Sequence, residues 1–211
     1  LKNKNNVMPS ISYAITACNE HVELDRLLTQ LTESIRPEDE IVIQLDKTAT
    51  VEVRSTCFDF ERPNLRVVEF PLNGNFASFK NNLIKECLKD YIFQIDADEY
   101  ISEELLLSLP GILELNPGID LFAVPRINTV EGLTQEHIQK WGWNVNKNGW
   151  VNYPDYQTRI LKNIPEIRWI NKVHERLVGA KNGSHLPEGY DLIHPKTIER
   201  QEKQNEYYNT L

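Results

Sequence analysis

Ile11 to Ala17 has the alternating apolar character of a strand and runs directly into the polar Cys18-Asn19-Glu20. The period then changes, because Leu24, Leu27, Leu28, Leu31 and Ile35 recur at helical spacing, with Pro37 as a stop. The two patterns go on alternating. Glu40 to Leu45 reads as a second strand ending at Asp46, Val51 to Phe60 as a helix, and Leu65 to Phe70 as a third strand. After the turn-rich Pro71-Leu72-Asn73-Gly74-Asn75, Phe76 to Lys89 has helical periodicity and Tyr91 to Ile95 is a nearly continuous apolar run. Strands alternating with helices predict an α/β domain with a mostly parallel central sheet flanked by helices. The second half is less regular. Glu103 to Leu115 reads as a helix, Leu121 to Val124, Tyr156 to Leu161 and Ile167 to Ile170 as strands, and Thr197 to Leu211 as a polar terminal helix. Between them Trp141, Trp143, Trp150, Tyr153 and Tyr156 lie among Asn and Gly and predict a hairpin or lid, with core and lid packing favoured over a sugar platform.

Composition narrows the classes. A chain of 211 residues suits one domain with a proper core, and no apolar run reaches the roughly 18 residues of a membrane span. A net charge of -8 disfavours nucleic acid and anionic lipid as partners. Cys18, Cys57 and Cys87 are odd in number, without metal-ligand spacing, which points to reduced thiols and a cytoplasmic location, free or peripheral at a membrane. Residues 1–9, opening Leu-Lys-Asn-Lys-Asn-Asn, lack the apolar core of a secretory signal and read as a disordered lead or the remnant of a longer chain.

In parallel sheets ligands bind beyond the carboxyl ends of the strands, which here carry Asn19 and Glu20, then Asp46, then Asp96 and Asp98. If the extended form persists past Ile95, Asp96 and Asp98 point the same way, and a divalent cation would hold both ionised; a solvated strand end is the plainer alternative. Glu99 reads as an N-terminal acid of the following helix. Lys80 falls inside the apolar face defined by Phe79, Leu83, Cys87 and Leu88, so its ammonium either reaches the ligand edge or snorkels to solvent. Together these parts suit a nucleotide: a base held by Asn19, Glu20 and Asp46, and a diphosphate neutralised by Lys80 and a metal on Asp96 and Asp98. No glycine-rich phosphate loop is present, so phosphate recognition would rest on metal and side chains.

The chain resembles a family 2 glycosyltransferase of the GT-A fold. The resemblance rests on Ile15-Thr16-Ala17-Cys18-Asn19-Glu20, Asp46, Asn73-Gly74-Asn75 with Lys80-Asn81, Asp96-Ala97-Asp98 as a DxD motif, and Lys172-Val173-His174-Glu175. The last segment, with His194 and Lys203-Gln204-Asn205 after it, is similar to the branch containing bacterial lipopolysaccharide-core and peptide glucosyltransferases. It covers about residues 10 to 208, and two positions depart from it. Asp46-Lys47-Thr48-Ala49-Thr50 lacks the second acid of the usual DxxSxD loop, and Lys80 stands where Arg is frequent, so bidentate phosphate contact is lost while the charge remains.

The resemblance implies a single Rossmann-like GT-A domain: a nucleotide-sugar-binding half over residues 10–125, an irregular acceptor-side half with a lid over 126–196, and a C-terminal helix over 197–211. It implies an inverting transfer from a nucleotide-sugar donor, UDP-linked in the first instance, to an acceptor that is a glycan, lipid-linked glycan or peptide. Mn²⁺ or Mg²⁺ would sit chiefly on Asp98, with Asp96 and His174 as further ligands and Thr16, Asn19, Glu20, Asp46, Lys80 and Asp96 binding the donor. Glu175 is the first choice of base and Asp155 the second. Two other classes share the architecture: a sugar nucleotidyltransferase, whose basic glycine-rich N-terminal loop is missing at Ala17 to His21, and a noncatalytic GT-A-like binding domain, against which the retained acids argue.

Overall fold

The structure, a computed structural model, describes residues 8–208, so most of the expected N-terminal lead and residues 209–211 of the terminal helix lie outside the described residues. The first half follows the alternation read from the sequence. Strands β1 (Ile11–Ala17), β2 (Glu40–Leu45), β3 (Leu65–Glu69) and β4 (Tyr91–Asp96) are separated by helices α1 (His21–Ser34), α2 (Val51–Asp59) and α3 (Phe76–Glu86). Then come the short β5 (Tyr100–Ile101), α4 (Glu103–Leu115), β6 (Leu121–Val124), β7 (Arg126–Glu131) and α5 (Gln135–Trp141). The chain closes with β8 (Gln157–Lys162), β9 (Arg168–Ile170), β10 (Arg176–Val178), β11 (Gly183–His185), β12 (Leu192–Thr197) and α6 (Ile198–Tyr208).

The main sheet has seven strands in the order β11-β6-β8-β4-β1-β2-β3. β1 pairs in parallel with β2 and β4, whereas β8 enters antiparallel between β4 and β6. Every residue of β2 is buried, as is nearly all of β1 and β4, which explains why these strands read as continuous apolar runs. Leu24, Leu27, Leu28 and Leu31 of α1 are fully buried in the core on one face of this sheet. On the other face Leu83 of α3 packs with Ala14, Val42, Ile92 and Leu161. Burial of this apolar surface is the main stabilising term of the first half.

Two smaller sheets flank the carboxyl edge. β12 lies between β5 and β7, and β9 pairs with β10 in a hairpin. The hairpin is pinned to α3 by Asn81, whose side chain exchanges two 2.8 Å hydrogen bonds with the backbone of Trp169. It is held at its other end by Gly179, at φ +93, where a Cβ would lie 1.8 Å from the Glu166 carbonyl oxygen.

Candidate active site

A cleft of about 690 Å³ opens at the carboxyl ends of β1, β2 and β4. Of the residues assigned to the site from sequence, Thr16, Glu20, Asp46, Lys80, Asp96, Asp98 and Glu175 line it. Asn19, Asp155 and His174 do not.

The extended form stops at Asp96, contrary to the expectation that it carries both acids on one face. A turn closed by the Glu99 amide donating to the Asp96 carbonyl (2.9 Å) takes Asp98 out of the strand. The two carboxylates therefore have separate partners. Asp96 accepts from Thr16 Oγ1 (3.1 Å) and from Arg159 Nη2 (2.5 Å), while Asp98 Oδ2 lies 3.2 Å from both His194 Nε2 and Arg200 Nη2. Burial pushes both acids up, but for Asp96 the charges of Arg159 and Lys80, and for Asp98 the hydrogen bond and charge of His194, more than offset it. Both stand below the usual carboxylate range and are ionised at neutral pH.

Glu99 does not start the next helix. It is 0% exposed, and Ser102 caps α4 instead. Glu99 Oε1 accepts from Arg159 (2.7 Å) and Arg126 (3.0 Å), and Oε2 accepts from the Asp96 amide (3.1 Å). From Arg126 the bonds continue to Asp155 (2.7 Å), from Asn128 Nδ2 to the same Asp155 oxygen (2.9 Å), and between Asn128 Oδ1 and His194 Nδ1 (2.9 Å). A polar chain thus runs Asp96, Arg159, Glu99, Arg126, Asp155, Asn128, His194, Asp98, joining the two acids of the motif through the interior.

Asp155 is used up by this chain. Its carboxylate takes four hydrogen bonds, from Arg126 Nε and Nη2, Asn128 and Gln157, and although burial raises its pKa, Arg126 and Asn128 bring it below the ordinary value. A carboxylate so held is a weak proton acceptor, which corrects its rank as second choice of base. His174 is corrected as well. It is exposed, with φ +52, in the turn between β9 and β10, and the imidazole beside Asp98 is that of His194, 6% exposed. Asn19 is exposed, and its amide, like that of Cys18, donates to the side chain of Glu20. Glu20 is therefore engaged with its own turn and with Arg200 (3.5 Å). Asp46 accepts from Thr48 Oγ1 (3.1 Å) and from the Leu72 amide (3.3 Å), bridging the loops after β2 and β3.

Lys80 reaches the cleft rather than bulk solvent. Its ammonium pairs with Glu175 and sits 4.5 Å from the centre of the Trp169 ring, whose Nε1 donates to Gln94 (2.8 Å). Sequence reasoning did not single out Trp169, Arg126, Arg159 or Lys196, all of which line the cleft. One signal was available: Arg159 directly precedes the apolar pair Ile160-Leu161 in β8. Of the aromatic cluster only Tyr156 lines the cleft; Trp141 packs on Trp143 (4.7 Å) and Trp150 on Tyr153 (4.8 Å). The thiols are free, and burial pushes Cys57 up to about 11 and Cys87 up to about 12, which makes them unreactive packing groups.

This arrangement gathers acids and a lysine at the carboxyl ends of the parallel strands of an α/β sheet. The sequence profile described as "Glycosyl transferase family 2" matches residues 12–173, and the chain belongs to that family. Its fold is the GT-A fold of the solved S. aureus TarS structures. TarS 1–349 superposes with a TM-score of 0.64 at 16% identity over 88% of this chain and 60% of that one. TarS 1–349 in complex with UDP-GlcNAc gives 0.64 and 16% over 89% and 58%, and its complex with UDP gives 0.62 and 16% over 88% and 60%. The chain thus spans less than two thirds of TarS 1–349. A search among curated protein sequences returned no match. Among the described residues, no helix is long and apolar enough to cross a membrane.

Proposed function

We propose that the protein is an inverting glycosyltransferase that moves a sugar from a nucleotide-diphosphate donor, UDP-linked, to an acceptor nucleophile with the help of Mn²⁺ or Mg²⁺. The observation that carries this reading is the convergence in one cleft of Asp98 with His194, Asp96, Lys80 and Glu175. The UDP and UDP-GlcNAc complexes of TarS, which shares the fold, support the donor class. Residues 10–125 would form the donor side and 126–196 the acceptor side.

Among the described residues no three His, Cys, Asp or Glu side chains form a ready-made metal cluster. A carboxylate oxygen and an imidazole nitrogen 3.2 Å apart on the cleft wall nevertheless suit a cation of this type, since Mg²⁺ and Mn²⁺ need only one or two protein ligands when diphosphate oxygens and water complete the shell. Asp98 and His194 would hold it, with Asp96 beside them. When bound, the cation would neutralise the charge that develops on the leaving diphosphate.

The chain's own residues supply the rest. Lys80 stabilises the same leaving group with its ammonium. Asp96, anchored by Thr16 and Arg159, faces the donor at the end of β4. Glu175 is the base that takes the acceptor proton, and its ion pair with Lys80 opens when the lysine turns to the diphosphate. Attack from the side opposite the leaving group inverts the anomeric carbon. Donor hydrolysis with Mn²⁺ tests the reading: Asp98→Ala should lower the rate about 10³-fold, in the range seen on removing one electrostatic stabiliser of a transition state. Equal rates for wild type and variant would refute it.

A further inference from the structure

We infer that Asn128 and Asp155 are positioning residues that fix the tautomer of His194, so that its Nε2 lone pair is presented to the divalent cation; this rests on the cation reading above. Asp155 is ionised and accepts from Arg126 Nε and Nη2 at 3.0 and 2.7 Å. A carboxylate offers only lone pairs, so the Asn128 atom 2.9 Å from it is the amide nitrogen. The amide of Asn128 is thereby locked, with its oxygen turned to His194 Nδ1 at 2.9 Å. An amide oxygen accepts only, so Nδ1 carries the proton. Nε2 is then the ring nitrogen left for the cleft; it donates to the ionised Asp98 Oδ2 at 3.2 Å, and a bound cation would take the place of that proton.

The backbone supports the same register. Asn128 stands directly opposite His194 in the β7–β12 pair, and its carbonyl accepts from the Val151 amide at 2.9 Å. Asn128 is therefore held at both ends, and His194 has little freedom to turn. An imidazole that ligates a metal through one nitrogen is commonly oriented by a hydrogen bond from the other, and loss of such a partner weakens metal binding by about 10 to 100-fold. Arg126, which ties Asp155 to Glu99, extends the support into the buried interior.

Two readouts that do not depend on turnover test this. The first is the protonation of His194 by ¹⁵N NMR of the imidazole in the wild type, without metal and with Mg²⁺ and UDP. Nδ1 should carry a proton in both, and a bare Nδ1 in either would overturn the inference without recourse to any variant. The second is Mn²⁺ affinity in the presence of UDP, followed by electron paramagnetic resonance. Asn128→Leu should take the proton off Nδ1 and weaken Mn²⁺ binding by about 10 to 100-fold. Loss of that proton with unchanged Mn²⁺ affinity would overturn the positioning role. Equal Mn²⁺ affinity of wild type and Asp98→Ala would remove the cation reading instead, and the NMR result would separate the two failures.

Discussion

The N-terminal half, up to residue 125, and the C-terminal half of the molecule hold themselves together by different means. In the first, β1, β2 and β4 are buried on both faces and the helices cover them with leucines, so the polar residues that matter stand only at strand ends. In the second, β7, β8 and β12 are as long as β2 and β4 but only partly buried, and Arg126, Arg159 and Asp155 form a charged centre around Glu99 of the first half. The difference teaches that this half is not an irregular appendage. It carries the partners that keep the acids of the first half charged and oriented.

The largest effect that would sharpen the contrast is on stability. Arg159 is 6% exposed and binds both Asp96 and Glu99, so Arg159→Leu leaves the buried Glu99 with Arg126 as its one remaining cation and should cost about 3 kcal/mol in urea unfolding. Leu28→Ala, in the apolar half, should cost about 2–5 kcal/mol by opening a cavity. If Arg159→Leu cost under about 1 kcal/mol, the charged centre would be incidental and the contrast would fail. Next in size is Glu175→Gln, which should lower kcat about 10²-fold, at the lower end for loss of a general base, with the donor KM little changed. A fall in donor affinity instead, with kcat unaltered, would make Glu175 a partner of Lys80 and nothing more. Lys80→Ala is expected to raise the donor KM or lower kcat about tenfold, as for one charge-assisted hydrogen bond, and the loss should lessen at high salt.

Acid sensitivity gives the smallest and most graded test. Asp96, Asp98 and Asp155 all have folded pKa values below the ordinary 3.8, so the unfolded chain takes up protons first as pH falls. Their contribution is complete above about pH 4 to 5 and is lost progressively below it, as pH falls toward the folded values. Arg126→Met, by removing the cation that lowers Asp155, should flatten this acid limb of a stability-pH curve. An unchanged limb would count against the polar chain.

The same contrast explains what the sequence made legible. Apolar runs ending in acids announced β1, β2 and β4 and the residues Asp46, Asp96 and Asp98, because burial on both faces leaves a continuous signal. Lys80 was legible as a charge in an apolar helix face. β7 (Arg-Ile-Asn-Thr-Val-Glu) and β12 (Leu-Ile-His-Pro-Lys-Thr) gave no such signal, since half-buried polar strands look like loops. His194 could not be assigned to Asp98 from sequence because the two lie 96 positions apart and meet only through the fold. His174 misled through its neighbour Glu175, since in the tight turn at φ +52 adjacent residues do not share a face. Glu99 misled because three acids within four residues before an apolar run look like a helix start, and only Arg126 and Arg159, distant in the chain, give it a different role.

The central claim is that Asp98 and His194 together hold the divalent cation of a sugar-nucleotide donor whose diphosphate meets Lys80. A crystal structure with UDP and Mn²⁺, with the metal located by its anomalous signal, tests it most directly. The account predicts the Mn²⁺ peak within coordination distance of Asp98 Oδ2 and His194 Nε2, and the Lys80 ammonium transferred from Glu175 to a phosphate oxygen. A peak away from Asp98, or a diphosphate bound with the Lys80–Glu175 pair intact, would contradict it.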